Sequence, residues 1–250
     1  MAQPLASAAP RSRAKEFEWP PWVEPAFTVV ALGLFGLYSL WEVFFHQTGQ
    51  YGNYLSPFFS PTEAWGIRFF PAVWAVWVPL LFRGTCYYYR KEYFRGFFRD
   101  PLYCGLAESK RRYNGEVSLP WSANNLHRYA WILVFVVLVF LWKDAISAFF
   151  FPKVGFGVGL GSLIMLFNVL CLTIYSFSCH ALRHMIGGHK NRFTTRTGQT
   201  TVWYRMWHQV SVWNQRHGSW AWLSMFTVWG TDLYIRLLLS GVLHDPRLIR

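Results

Sequence analysis

Five apolar stretches leave this chain few folds to choose from. They run at about 25–45, 62–89, 127–150, 158–186 and 219–240. Each is near the ~20 residues that a helix needs to cross a bilayer. In lipid every backbone N–H and C=O has to be satisfied within the chain, so only helices or closed barrels span. Segments of this length predict an all-α fold, a five-transmembrane-helix bundle. Pro71 and Pro79 interrupt the second span, which neighbouring helices can accommodate. Trp and Tyr gather at many span ends, as aromatic belts do. The 250 residues are 53% hydrophobic, 20% aromatic and 14% charged, the composition of a helical membrane protein. A net charge of +12 invites a nucleic-acid reading. The basic residues lie between the apolar spans and not on a soluble domain, which excludes that class.

Lys and Arg also set the orientation. Arg11, Arg13 and Lys15 precede the first span. Arg90, Lys91, Arg95, Arg99, Lys110, Arg111 and Arg112 follow the second, and Lys190, Arg192, Arg196, Arg205 and Arg216 precede the fifth. The opposite loops, 46–61 and 151–157, offer only Lys153. The positive-inside rule then places the N-terminus in the cytoplasm and the C-terminus on the outer side, with Arg247 and Arg250 a mild dissent. Residues 1–22 read as a flexible cytoplasmic segment, rich in Ala, Pro and Ser, without the apolar core of a secretory signal. Residues 23–245 read as one transmembrane domain, with cytoplasmic loops 90–126 and 187–218. Within the first loop, 87–98 mixes aromatics with Arg and Lys, which suits a helix lying in the headgroups or a platform for a cytoplasmic partner. Long internal repeats are not apparent.

Polar residues inside the spans fall in two layers. The outer one holds Glu42, Arg68, Lys143, Asp144, Asp232 and Arg236. Intramembrane acids and bases neutralise each other, so an ion-pair network joining helices is the plain reading; a proton path or binding site is the other. The inner layer holds Cys86, His127, Cys179, His180, His184 and His217, with Cys104 and His189 in adjoining loops. Its densest part, Tyr175-Ser-Phe-Ser-Cys179-His180-Ala-Leu-Arg183-His184-Met-Ile-Gly187-Gly188-His189, reads as the last turns of the fourth span. His180 and His184 share a face at helical spacing, which suits two imidazoles on one metal. Cys179 is rotated by about 100° from His180. Cysteine with histidine suits zinc or iron–sulfur, and histidine pairs from separate helices suit haem. Polar residues meeting headgroups are the plain alternative. No Cys falls in an outer loop, so disulfides are not expected. Cys171 reads as packing, and His46, His208 and His244 as interfacial side chains.

Four motifs resemble a known family in the expected order: Thr85-Cys-Tyr-Tyr-Tyr-Arg-Lys91, Asn125-Leu-His-Arg-Tyr129, Ser178-Cys-His-Ala-Leu-Arg-His184 with Gly187-Gly188, and Thr231-Asp-Leu-Tyr234. They look like the single-chain, five-helix membrane anchor of succinate dehydrogenase (respiratory complex II), in the branch found in mycobacterial enzymes. The resemblance implies a flavoprotein subunit that oxidises succinate, an iron–sulfur subunit docked on the basic loops, and a place in the bacterial cytoplasmic membrane. Analogy adds a trimer of assemblies. It further implies that the anchor passes electrons to quinone, through a Rieske-type [2Fe-2S] centre with two Cys and two His ligands. Other five-helix anchors carry two b haems. The second span here has no His and the outer level only His46, which argues against that arrangement and leaves a single haem b as the alternative.

For the implied centre, Cys86, Cys179, His180 and His184 are the expected ligands. Cys104 is an alternate thiolate, and His127 or His217 could replace either imidazole. Arg128 and Arg183 raise the local positive charge or snorkel to headgroups. Depth makes His127, Arg128, Tyr129, Trp213 and His217 the candidate quinone contacts. The rivals are a metal-dependent membrane enzyme or transporter, and an anchor without a cofactor. Against the former, the chain has no HExxH motif and no evident broken-helix pair.

Overall fold

The computed structural model describes residues 19–46, 49–60, 71–98, 119, 121–151, 155–188, 190, 194 and 200–249. Arg68, Cys104, His189, residues 1–18 and most of the loops 90–126 and 190–199 lie outside the described residues. The apolar periodicity becomes helix. Among the described residues there are eight α-helices: α1 (Val23–Phe45), α2 (Pro71–Thr85), α3 (Tyr87–Tyr93), α4 (His127–Ser147), α5 (Leu160–Phe177), α6 (His180–Gly187), α7 (Val202–Asn214) and α8 (His217–Leu239). A π-helical turn, Phe94–Phe98, extends α3, and a 3-10 turn, Trp121–Leu126, leads into α4.

Among the described residues, three helical stretches are long and apolar enough to cross a membrane: Val23–Glu42, Ser122–Ser147 and Leu160–Phe177. The α8 helix has 23 residues. At 1.5 Å per residue that is about 35 Å, a bilayer's span. Its Asp232 and Arg236 lower its mean hydropathy, because they face interior partners. The α2 helix is described over 15 residues. On α1, Leu34, Leu37, Leu40 and Phe44 are each at least half exposed, the pattern of a lipid-facing side.

The α5 helix packs most extensively on α8, and α4 lies against both α5 and α2. Near one end of the bundle the core gathers Phe82, Tyr89, Val134, Tyr175 and Met225. Ala130 and Ala221 are fully buried there, small enough to let helix backbones approach. A second core at the opposite end joins Tyr54, Met165, Val169, Ile235 and Leu238.

Short strands and charged groups close that opposite end. Strands β1 (Gln50–Tyr51) and β2 (Tyr54–Leu55) form an antiparallel hairpin, and so do β3 (Phe150–Phe151) and β4 (Gly155–Phe156). Gly52 (φ 58°) and Gly155 (φ 84°) supply the left-handed turn residues. Strand β5 (Val158–Gly159) pairs with β6 (Arg247–Ile249) of the C-terminal tail. Asp245 fastens this tail. Its carboxylate accepts Tyr54 OH at 2.6 Å, Tyr234 OH at 2.7 Å and the Gly161 N–H, in the first turn of α5, at 2.9 Å. A Cβ on Gly161 would lie 2.6 Å from the Tyr54 ring, so only glycine admits this contact. Burial, with the hydrogen bond to Asp245, pushes Tyr54 up to about 12, which keeps its phenol protonated as a donor.

Of the expected outer layer, three members form a network. Fully buried Glu42 pairs with Arg236. Fully buried Asp232 accepts hydrogen bonds from Tyr38 and Ser56, with Arg236 Nε at 3.7 Å. Asp144 accepts from Ser60, and Lys143 is exposed. The network joins α1, the segment after β2, and α8, and surrounds each buried charge with partners, without which its desolvation would be prohibitive. Replacing Asp245 by alanine strands one buried phenol, Tyr54, and one half-buried phenol, Tyr234. It is expected to destabilise the protein by about 1–3 kcal/mol and to open residues 241–250 to protease, read by thermal unfolding and limited proteolysis of the detergent-solubilised complex.

Candidate functional site

Ser and Thr within a helix can bond their hydroxyls back to a carbonyl one turn earlier, which weakens and bends the helix. That happens at two places here. Thr85 Oγ1 donates to Leu81 O at 2.6 Å, and Ser178 Oγ donates to Tyr175 O at 3.1 Å. In both cases the next residue is a cysteine in extended conformation: Cys86 at φ −61°, ψ 130° and Cys179 at φ −66°, ψ 141°. A new helix then starts at once, α3 after Cys86 and α6 after Cys179. Even the backbone bonds correspond. Cys86 N–H donates to Arg83 O and its carbonyl accepts Arg90 N–H; Cys179 N–H donates to Ser176 O and its carbonyl accepts Arg183 N–H. Side chains take up carbonyls at the breaks: Tyr93 OH reaches Gly84 O at 3.1 Å, Trp131 Nε1 reaches Ser176 O at 2.8 Å, and Asn214 Nδ2 reaches Ser178 O at 2.7 Å.

The stretch from Tyr175 to His189 is therefore not the end of one continuous helix. Neither break contains Pro, and only the first has a Gly beside it, so hydropathy and Pro/Gly punctuation left both unmarked.

Two histidines face these breaks, each the first residue of a helix. His127 opens α4 and His217 opens α8. The contacts cross over. His127 Nδ1 lies 2.9 Å from Thr85 Oγ1, while its Nε2 lies 3.0 Å from Cys179 Sγ. His217 Nδ1 lies 2.8 Å from Ser178 Oγ, while its Nε2 lies 3.3 Å from Cys86 Sγ. Each imidazole stacks on a ring four residues before a cysteine: His127 on Phe82 at 4.8 Å and His217 on Tyr175 at 5.0 Å. Helices α2 and α5 thus present the same pattern, aromatic-x-x-Ser/Thr-Cys, in a pseudo-twofold arrangement. The pattern spans only five residues per copy, too short to register as a repeat in the sequence.

The hydroxyls decide which ring nitrogen carries hydrogen. A hydroxyl has one hydrogen, and here a backbone carbonyl takes it. Each hydroxyl oxygen must then accept from Nδ1–H, so both Nε2 lone pairs point at the thiols. Cys86 and Cys179 are each 1% exposed and His217 is 7% exposed, so these three are shut away from solvent, while His127 is half-buried. Gly218 lets α8 start this close to α3, since a Cβ there would lie 2.5 Å from the Tyr88 ring.

Two thiols and two imidazole lone pairs form a soft donor set suited to zinc or an iron–sulfur cluster. Among the described residues, no group of three or more His, Cys, Asp or Glu is arranged to hold a single metal ion.

Of the expected ligands, Cys86 and Cys179 come together with His127, an alternate, and His217. His180 and His184 sit exposed on α6, His180 against the Tyr87 ring at 6.3 Å. Arg183 turns to α7 instead, with Nε on Ser211 Oγ at 2.8 Å and its guanidinium over Trp207. Gly187 permits that contact, because a Cβ there would strike Trp207 at 2.3 Å. Arg128, Tyr129 and Trp213 are exposed. Cys171 is buried within α5 as a free thiol.

Beside the four donors lies a cavity of about 420 Å³. Its walls are mainly apolar side chains of α1, α2, α4, α5 and α8, Leu32, Val76, Val137 and Val228 among them. Phe82 and Tyr175, the rings stacked on the two histidines, line it too, and so does Arg83. Sequence reasoning did not find this cavity, because its walls come from six helices, Tyr89 and Tyr93 of α3 included.

No curated protein matches the chain. A solved structure described as the Mycobacterium smegmatis Sdh1 complex in the apo form contains a chain 33% identical to this one, with a TM-score of 0.81 and 97% of each chain covered. The family model for the actinobacterial succinate dehydrogenase subunit SdhC matches residues 23–241. The chain belongs to that family, the membrane-anchor subunits of actinobacterial succinate dehydrogenase.

Proposed function

We propose that this chain relays electrons from a docked iron–sulfur subunit to a quinone, with Cys86, Cys179, His127 and His217 holding a Rieske-type [2Fe-2S] centre. The observation that carries this reading is the crossed pairing of two buried thiols with two imidazoles whose Nε2 atoms are turned toward them. When bound, such a centre supplies reversible one-electron transfer. The chain's own residues do the rest. Thr85 and Ser178 hold the outward Nδ1–H of each imidazole, the outer-shell contact that orients metal-binding histidines. Phe82 and Tyr175 cover the ring faces and exclude water. The breaks at Cys86 and Cys179 turn both sulfurs off the helix surface and into the gap between helices.

Haem b fits this place less well. Each Nε2 already faces a thiol within 3.3 Å and not an open iron-binding position. In the membrane, residues 23–245 form five spanning helices, with α2 and α8 joining the three apolar ones. The N-terminus is cytoplasmic and the C-terminus outside. Arg90, Lys91 and Arg95, on α3 and the π-turn, offer the iron–sulfur subunit a basic face on the cytoplasmic side, and the flavoprotein sits beyond it. The protein works in the bacterial cytoplasmic membrane, in a trimer of such complexes.

Low-temperature electron paramagnetic resonance on the partly reduced complex tests the ligand set. A His127→Ala/His217→Ala variant should lose a Rieske-like signal and quinone reduction, while succinate oxidation by an artificial dye persists. The His180→Ala/His184→Ala variant should keep the signal. The reverse outcome would return the ligands to α6. Thr85→Val should weaken metal retention by roughly 10–100-fold, as loss of an outer-shell partner does, and Thr85→Ser should restore it; iron content per complex is the readout.

A further inference from the structure

Arg83 stands in the last turn of α2, where a cation suits the negative end of the helix dipole. Its guanidinium donates to Tyr89 OH at 2.6 Å, Ala221 O at 3.2 Å and Ser224 Oγ at 3.1 Å, which ties α2 to α3 and α8. A scaffold role needs no more than that. Two further features point to a second role. The first is that all three acceptors are neutral, and among the described residues no carboxylate pairs with Arg83. Glu92, the buried carboxylate of α3, accepts from Thr28 of α1 at 3.3 Å. No ion pair cancels the positive charge of Arg83.

The second feature is position. The guanidinium lies 4.9 Å over the Tyr175 ring, and that ring stacks at 5.0 Å on the His217 imidazole. The two distances keep the charge within about 10 Å of His217. The other half of the site lacks this arrangement: among the described residues no cation lies over Phe82, the ring behind His127. Arg90 turns to Tyr87, and Arg183 to Trp207. Arg83 also borders a cavity with mainly apolar walls, so its field is screened less than that of a surface charge.

We propose that Arg83 sets the reduction potential of the centre held by Cys86, Cys179, His127 and His217, by placing an unpaired positive charge behind Tyr175 on the His217 side. This rests on the reading of those four residues as ligands of a one-electron centre. Reduction adds negative charge, which a nearby cation favours, and cluster potentials follow net charge and burial. At about 10 Å and an effective dielectric of about 20, a unit charge shifts a one-electron equilibrium by roughly tenfold. Arg83 touches none of the four donors, so it is a positioning and tuning residue.

The test is a redox titration of the complete succinate dehydrogenase complex, followed by electron paramagnetic resonance. At the wild-type midpoint, Arg83→Gln should lower the reduced-to-oxidised ratio of the centre about tenfold, a downward shift of about 59 mV for one electron. Ser224→Asp is a second probe. It keeps the arginine and sets a carboxylate beside the guanidinium, so the ratio should fall in the same direction. Arg83→Lys keeps the charge and loses the planar fork, and its ratio should stay within threefold of wild type. Iron content per complex should be unchanged in all three. Ratios within twofold of wild type in both Arg83→Gln and Ser224→Asp overturn the proposal. A fall in Arg83→Lys equal to that in Arg83→Gln overturns it too, since the fork and not the charge would then matter. Loss of iron from Arg83→Gln and Arg83→Lys alike does the same, because the guanidinium would then serve the scaffold alone. A wild-type complex without a Rieske-like signal defeats the proposed function and this tuning together, whereas a wild-type signal with unshifted variants defeats the tuning alone.

Discussion

Two hydrogen bonds tie the Cys/His end of the bundle together: Thr85 Oγ1 to His127 Nδ1 and Ser178 Oγ to His217 Nδ1. Each hydroxyl has two tasks. By donating to a carbonyl of its own helix it loosens the last turn and frees the following cysteine to leave the helical path. By accepting from an imidazole it fixes the first residue of a neighbouring helix. An unpaired polar group in hydrocarbon surroundings is unfavourable by several kcal/mol, so the break and the helix start are stable only together. The sulfurs project into the gap because both breaks and both starts meet at one level.

The two ends of the bundle use different chemistry. At the far end, Glu42, Asp232 and Arg236 are buried as charges, and their network links α1 to α8. At the Cys/His end the side chains around the four donors are neutral hydroxyls and aromatic rings, with Arg83 held over Tyr175 by three hydrogen bonds. With the ion network at the far end, the thiols and imidazoles meet short, directional contacts with hydroxyls and rings. The Asp245 latch performs a mechanical task at the charged end, holding the C-terminal tail against the start of α5.

Pseudo-twofold construction also explains where chemical difference enters. Matching five-residue patterns on α2 and α5 place matching groups around two imidazoles. Phe82 and Tyr175 differ by one oxygen, and both rings line the cavity.

Much was legible in the chain itself. Span length and aromatic ends point to helices in a membrane because an unsatisfied backbone excludes other structures there. Four short motifs point to the succinate dehydrogenase anchors, and Cys86 and Cys179 stand out as soft donors at one depth. Helical spacing then led to His180 and His184, because it assumes an unbroken helix through Cys179. The break after Ser178 removes that assumption and leaves both imidazoles on the outside of α6. Which histidines meet the thiols was decided by packing. The Cys86–His217 and Cys179–His127 contacts join residues 131 and 52 positions apart, and no local period encodes such a distance. The cavity is likewise a property of six helices at once. Local chemistry determined the elements and the candidate donors; only the tertiary structure, by breaking two helices and crossing their partners, decided which donors share a site.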